Sequence, residues 1–387
     1  MSNKITNHAA YLTKAKAHPL EVLEAPLTAL EPNAIRVRVH GLAINPIDHI
    51  LQAQGTSLAF PWLKYPLVLG IDVAGTVVEI GTSVKNFNVG DRVLGECMGT
   101  DKVHVDSQSA EAGFQEYSVL REHMSSMIPD TLSFEQACVL PLGLGTAACG
   151  LFQKDHLGME LPKPGEVVPK DRTVLIWGGS TSVGTCAIQL AVASGYNVIT
   201  TCSPKNFEYC RALGAKHCFD YKSTTVVQDV VGALRGKVCI GALAVGANSP
   251  LVCMNILSKH DFKSTKNEGT HPARKFVSVV SGPDLVPPTE RLATLRTISR
   301  FVAFGVSLLY KSWRHSIQWK FVLGTEPARN EVGPAIYNDF LPAALKSGQF
   351  RALPEAMVVG HGLEKVQEAM DVLKAGVSAK KVVVTLV

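Results

Sequence analysis

The hydrophobic pattern of residues 172–206, RTVLIWGGSTSVGTCAIQLAVASGYNVITTCSPKN, changes period in a definite order. A continuous apolar, β-branched run at 173–177 predicts a buried strand. It meets a Gly/Ser-rich turn that opens directly into a helix-patterned segment. A second apolar run at 196–201 predicts another strand, and Ser203-Pro204-Lys205-Asn206 makes a corner after it. Strand, tight turn, helix and strand together are the dinucleotide-binding βαβ unit. Gly178, Gly179 and Gly184 let the backbone turn sharply and let helix and strand approach closely. Backbone N–H groups at the helix start then face a pyrophosphate, and the helix dipole favours its negative charge.

The same alternation continues downstream. Helices are expected at 207–213, 224–235 and 250–258, and strands at 217–221, 238–245 and 275–280, which makes a parallel sheet covered on both faces. Residues 1 to about 125 read differently, as short strands punctuated by Gly, Asn and Asp, the pattern of a compact, mostly β domain. A helix-like run follows Ser133, and 158–170 is a Pro/Gly-rich surface excursion. The last segment, 360–387, predicts one amphipathic helix and one closing strand. The chain is therefore expected to be α/β, with a β-rich domain of 1–140 plus 345–387 and a doubly wound nucleotide domain of 141–344. The cofactor is expected in the cleft between the two.

The end of the second strand bears on the cofactor. NAD sites place an acidic residue there, about 20 residues past the glycines, to hold the ribose 2′-OH. Here Thr201, Cys202 and Ser203 stand at that place and Lys205 follows. A hydroxyl and a cation suit a 2′-phosphate that a carboxylate would repel, so NADPH is expected rather than NADH. Ser203 also suits the cap of the next helix, with Pro204 at its first position. One corner can serve both ends.

Composition adds bounds. At 387 residues, with 46% hydrophobic and 18% charged, the chain can bury sizeable cores and is not a disordered sequence. Its net charge of +5 is spread rather than blocked, so no nucleic-acid partner is expected. Nine cysteines, an odd number with no C-x-x-C pair, read as reduced thiols inside a cell. The N-terminal residues lack a long apolar region and the run 301–310 is too short to span a bilayer. A cytoplasmic protein is expected. Apolar residues at 292, 295, 298, 302, 305/306 and 309 form one helical face within 289–319, with Arg291, Arg296, Arg300, Lys311 and Arg314 beside it. Such a face is core, a substrate-pocket lid or a subunit contact; a basic amphipathic helix can also lie on a membrane.

Several blocks occur in order along the chain: INPID (44–48), YPLVLGIDVAGTVVEIGTSVKNFNVGDRV (65–93), LPLGLGTAA (140–148), the GGSTSVG turn, LGAKHCFDY (213–221) and AGVSAKKVVVT (375–385). Together they resemble the medium-chain dehydrogenase/reductase family over essentially the whole chain. The nearest look is to zinc-lacking quinone reductases, fungal stand-alone enoyl reductases and the fungal concanamycin-induced protein B group. The resemblance implies a GroES-like β-rich catalytic domain joined to a Rossmann domain. The family's catalytic zinc ligands would fall at Asn45, Ile71 (with Asp72 adjoining) and Leu142. None of these is a Cys or His, and only Cys97 falls within 95–112, where a structural zinc lobe needs four cysteines. No metal is expected.

The chemistry that this implies is hydride addition from NADPH to the C=C bond of an enone, quinone or enoyl thioester, in fungal secondary metabolism. By resemblance, Asn45 to Asp48 and Thr146 line the nicotinamide and the acceptor. Gly179, Ser180, Thr181, Ser182 and Val183 cradle the pyrophosphate, with Thr181 in place of the motif's middle glycine. Ser203, Lys205 and Tyr221 hold the adenosine 2′-phosphate. Val245 and Ser281 flank the nicotinamide, and Ser378 lies in the closing loop. His49 is a candidate general acid or a locally bonded histidine; Asp48 orients a ribose hydroxyl or His49, or is a turn residue. The substrate is expected to be small and apolar, derived from a polyketide or terpenoid, and the protein a monomer or homodimer. Two other functions stay open: a non-redox cyclase or pericyclase on the same scaffold, and a catalytically silent NADPH-binding protein.

Overall fold

The computed structural model describes residues 6–56, 60–103, 109–262, 274–284, 286 and 292–387. The chain divides into two compact units, Met1–Leu142 with Gly333–Val387, and Gly143–Val332.

The first unit is built on strands. A small antiparallel sheet pairs β1 (Asn7–Leu12) with β2 (Glu21–Ala25) on one side and β4 (Leu67–Val68) on the other; β3 (Ala34–Ala43) belongs to a larger sheet. That sheet also contains β5 (Asp72–Ile80), β6 (Arg92–Glu96), β7 (Tyr117–Arg121) and β8 (Ser125–Met127). The central strand β3, AIRVRVHGLA, is buried almost throughout and pairs antiparallel with both β5 and β7. Val37, Val39 and Leu42 of β3 pack with Val73, Val77 and Val93 into one apolar core.

The second unit is a six-stranded parallel sheet. Its strands are β9 (Thr173–Trp177), β10 (Asn197–Cys202), β11 (His217–Asp220), β12 (Cys239–Ala244), β13 (Phe276–Val279) and β14 (Gln318–Phe321), in the order β11-β10-β9-β12-β13-β14. The direction of winding reverses between β9 and β12, the topological switch point at which open α/β sheets bind ligands. Interior strands β9 and β12 are buried at every residue, which is why they read as unbroken apolar runs rather than alternations.

The chain then returns to the first unit. Strand β15 (Glu355–His361) runs parallel to β16 (Lys380–Thr385), and β16 closes onto β3. Between them the helix Val366–Ala375 buries Val366, Ala369 and Met370 in the first unit's core.

Four features depart from the sequence expectations. The return to the first unit falls at Gly333 rather than 345, because the turn holding Tyr337 and Phe340 buries its aromatic side chains there. Strands β14 and β15 were not anticipated; both are short on buried positions and so lack a clear apolar signal. The helical stretch Phe134–Phe152 is long and apolar enough to cross a bilayer, with a mean hydropathy of 1.2, yet it is mostly buried within the fold, as a core helix is.

The helix Ala293–His315 departs most sharply. Its buried residues are Phe304 and Leu308, while Leu295, Ile298, Val302, Val306, Leu309 and Trp313 are exposed. The apolar face therefore points outward and is neither core nor a packed lid, and Phe304 and Leu308, on the other side, hold the helix to the sheet. Thr289 to Arg291 lie outside the described residues.

Candidate active site

In the second unit the parallel register lines up Phe219, Thr201, Trp177, Ala244 and Val279 across the sheet. The loops that leave this row carry Tyr221, Ser203 with Lys205, the 178–183 turn, Val245 and Ser281. Five separate stretches of sequence thus meet along the carboxyl edge of one sheet, beside the switch point.

The turn after β9 is shaped by close backbone approach. Gly178 has φ +83°, and a Cβ on it would lie 2.5 Å from the carbonyl oxygen of Val245. A Cβ on Gly184 would lie 2.1 Å from the Gly178 carbonyl oxygen, and one on Gly179 would lie 2.2 Å from Thr200 Oγ1. No side chain fits at these three places. Thr181, at the middle-glycine position, caps the helix Ser182–Ala193: its hydroxyl accepts from the Gly184 N–H at 3.0 Å and donates to the Gly178 carbonyl at 2.8 Å. Its only hydroxyl proton is committed inside the turn, so its side chain does not donate outward. The N–H groups of Ser182 and Val183, first in the helix, have no intrahelical acceptor and suit an anion. Ser180 precedes them, half-buried.

At the end of β10, Thr201 takes the place where an acidic residue would stand. It is buried, and its hydroxyl accepts from the Gly178 N–H at 3.2 Å, tying the strand to the turn. Ser203 is half-buried ahead of a 3₁₀ turn, Pro204–Asn206, and Lys205 is exposed. Tyr221 is exposed at the end of neighbouring β11, with Lys222 Nζ 5.6 Å from its ring centre. Lys222 was not anticipated; its position directly after Tyr221 was the available signal. Ser281 accepts from the Gly246 N–H at 2.9 Å and so fixes the loop after β12, where Val245 is buried.

The first unit gathers a second group of polar residues. Asn45 precedes the helix Pro46–Gln54, and its N–H donates to Asp48 Oδ2 at 2.8 Å. The other Asp48 oxygen accepts from the Gly70 N–H at 3.2 Å. Both oxygens of Asp48 are thus taken by backbone, a turn-holding role rather than the orientation of a ribose or of His49. Burial raises the Asp48 carboxyl to about 7, the N–H of Asn45 opposes that rise, and the neighbouring Asp72 adds to it.

Asp72 is the centre of this group. Its Oδ2 accepts from Asn45 Nδ2 at 2.8 Å and lies 2.6 Å from Lys381 Nζ, while its Oδ1 accepts from the Leu142 N–H at 2.5 Å. Lys381 also donates to Asn45 Oδ1 at 2.5 Å. Asn45, Asp72 and Lys381 are all buried. The resemblance puts zinc ligands at Asn45, at Ile71 beside Asp72, and at Leu142, and these places fit no zinc. They supply no thiolate or imidazole, and the lone carboxylate is neutralised by an ammonium group. Lys381 escaped the sequence reading; its signal is the Lys-Lys pair opening an apolar strand, where a period of two sends one of the two inward.

A third buried contact closes the group. The Tyr337 hydroxyl lies 2.6 Å from Glu96 Oε2 and 2.7 Å from the Pro141 carbonyl oxygen. The hydroxyl is the donor in both contacts, so its one proton serves two acceptors. Burial raises the Glu96 pKa well above the usual carboxylate range, and the hydrogen bond from Tyr337 opposes that rise.

The remaining expected residues are dispersed. His49 is half-buried; burial lowers its pKa and the Lys374 charge lowers it further, against Asp371. Its imidazole is therefore neutral at pH 7, which disfavours it as a ready proton donor. Thr146 is buried on the helix Pro141–Phe152 in the second unit, and Ser378 is exposed in the loop before β16 in the first.

Comparison with known proteins now bears on this arrangement. Residues 31–130 match the family described as alcohol dehydrogenase GroES-like domain, and residues 182–254 match zinc-binding dehydrogenase. The chain is similar to the dehydrogenase pigH of Monascus ruber, 48% identical over 98% of this chain and 100% of that protein. It is similar to the trans-enoyl reductase himH of Aspergillus japonicus, 33% identical over 99% and 98%. It also resembles the enoyl reductase component lovC of the lovastatin nonaketide synthase of Aspergillus terreus, 39% identical over 53% of this chain and 54% of that one. Among solved structures, an alcohol dehydrogenase superfamily protein from Novosphingobium aromaticivorans has the same fold, with a TM-score of 0.70 at 22% identity, covering 99% of this chain and 100% of that one. With its strand-rich unit, its parallel nucleotide sheet and these relatives, the chain belongs to the medium-chain dehydrogenase/reductase superfamily, among its fungal enoyl-reductase-type members.

Proposed function

We propose that the protein is an NADPH-dependent, zinc-independent reductase of the C=C bond of an α,β-unsaturated carbonyl compound. The observation that carries this reading is the pairing of a turn open to a diphosphate with a corner of Ser203, Lys205, Tyr221 and Lys222 that presents cations where an NAD site presents an acid. NADPH, when bound, supplies a hydride to the β-carbon of the acceptor. The chain's part is to hold and to polarise. Amides of Ser182 and Val183 receive the diphosphate, and the Lys205 corner receives the 2′-phosphate. Val245 and Ser281 shape the nicotinamide side, with Ser378 in the closing loop. Asn45 keeps a second amide hydrogen beyond the one given to Asp72, and that hydrogen serves the acceptor's carbonyl oxygen. With His49 neutral and Asp48 engaged by backbone, the proton for the enolate comes from water. The name of one relative, the enoyl reductase component of a nonaketide synthase, supports an acceptor of polyketide origin.

The test is NADPH oxidation by the purified protein against a panel of enones, quinones and enoyl thioesters. Turnover is expected with at least one acceptor class, at rates a chelator does not change. Lys205→Glu should raise the KM for NADPH roughly ten- to hundredfold, the worth of one charge-assisted hydrogen bond, and leave KM for NADH unchanged. NADPH bound tightly but never oxidised would sink the reading in favour of a silent binder, and substrate conversion without NADPH loss would favour a cyclase.

A further inference from the structure

A cluster in the second unit takes no part in the proposed reduction. Cys149 lies on the helix Pro141–Phe152, His156 in the turn that follows, and Glu326 at the start of the 3₁₀ turn Glu326–Arg329 after β14. Cys149 and His156 are fully buried, and the Glu326 side chain is 22% exposed. One donor atom from each lies within 4.8 Å of the others. Cys149 Sγ is 3.9 Å from Glu326 Oε2, and His156 Nε2 is 4.0 Å from the same oxygen.

The hydrogen-bond pattern sets the histidine tautomer. Ser278 Oγ donates to the Gly150 carbonyl at 2.9 Å, and a carbonyl can only accept. The one hydroxyl proton is thereby placed, so the His156 Nδ1, 3.2 Å from the same Oγ, carries the hydrogen and donates to it. Nε2 is left as a bare lone pair. It is buried, makes no hydrogen bond, and faces Glu326 and Cys149. A buried acceptor without a partner costs stability and calls for an explanation. An imidazole oriented by a hydrogen bond on its far nitrogen is the arrangement of a metal ligand held by its outer shell.

We propose that Cys149, His156 and Glu326 form a site for a zinc-class divalent transition ion, separate from the places where the family resemblance puts zinc. Thiolate, imidazole and carboxylate together match a borderline ion rather than the all-oxygen preference of calcium or magnesium. Tetrahedral bonds of the usual lengths put such ligand atoms about 3.4–3.6 Å apart, so the three side chains close in on the ion when it binds. The half-exposed side of Glu326 is the way in. Lys320, 3.2 Å from Glu326 Oε2 and 2.5 Å from Asp155 Oδ2, now neutralises the carboxylate and can stay on Asp155 when the ion arrives. Binding deprotonates Cys149: the S–H bond breaks, a sulfur–metal bond forms, and one proton goes to solvent. A fourth position stays open to water. The ion would pin the end of the helix, the following turn and the segment after β14 to one another.

The test is cobalt(II) titration of the chelator-treated, full-length protein. One equivalent is expected to give a thiolate charge-transfer band and strong visible bands of four-coordinate cobalt, with one proton released. Cys149→Ser should abolish the charge-transfer band, whereas Cys138→Ser should keep it. The partly exposed Glu326→Gln, whose folding circular dichroism can verify, should weaken cobalt affinity at least about tenfold. One equivalent of zinc should raise the melting temperature of the wild type and not of these two ligand variants. Absence of the band, its survival in Cys149→Ser, or unchanged affinity in Glu326→Gln overturns the proposal. None of these readouts uses NADPH turnover, so the outcome is independent of the function proposed above.

Discussion

At the scale of single residues, the first unit concentrates charge where water cannot reach. Asp72 and Lys381 neutralise each other, Glu96 accepts from the Tyr337 hydroxyl, and Asp48 is held by two backbone N–H groups. Asp48 makes this measurable. Its carboxyl ionises near 3.8 ordinarily and at about 7 in the fold, chiefly because burial disfavours the charge. Between those values the folded protein binds a proton that the unfolded chain has lost, so the Asp48 contribution to stability falls as pH rises through that window. Denaturant midpoints measured between pH 5 and 8 should therefore decline, by about 3 kcal/mol attributable to this group, and Asp48→Asn should flatten the decline. A midpoint rising over that range in the wild type alone would contradict it. Much of this was unreadable beforehand. Asn45, Ile71 beside Asp72, and Leu142 could be singled out as unfit for zinc, but the cation on Asp72 comes from Lys381, at the far end of the chain. Local spacing carries no trace of such a pairing.

At the scale of elements, the interior strands of the parallel sheet were legible because burial on both faces leaves an unbroken apolar run. Strands β14 and β15 were not, because partial exposure erases that run. The helix Ala293–His315 shows the limit of periodicity: the stripe correctly signalled a helix but not which side of it is buried. The residues that fasten it, Phe304 and Leu308, lie off that stripe. Truncating Phe304 to Ala should cost about 3–5 kcal/mol, the usual result of emptying a buried aromatic site. Leu309→Ser, on the exposed stripe, should change stability by no more than about 0.5 kcal/mol. Chemical denaturation of the two variants decides, and a large loss from Leu309→Ser would mean that the stripe is covered in solution.

At the scale of the whole molecule, the nucleotide sheet is a continuous insertion in a discontinuous host. Residues 143–332 contain all six parallel strands and the entire diphosphate turn. Expressed alone, that segment should fold and bind NADPH, and ligand at a hundred times its Kd should stabilise it by about 2.7 kcal/mol, seen as a rise in melting temperature. No shift in a folded segment would place essential cofactor contacts elsewhere. The two-unit plan was legible from the change of rhythm near residue 125. The point of return was not, because it depends on where Tyr337 and Phe340 find burial rather than on any breaker residue.

That same Tyr337 has a consequence for how the two units coexist in one chain. Its hydroxyl is bonded to the carbonyl of Pro141, so the last residues before the insertion and the first residues after it are fastened together inside the host. The host's own residues on either side of the insertion are thus bonded to each other. Segments added to or removed from the nucleotide unit over evolutionary time need not pull on the strands that hold Asp72 and Lys381. Such a clasp lets one half of the gene diversify while the other keeps its shape.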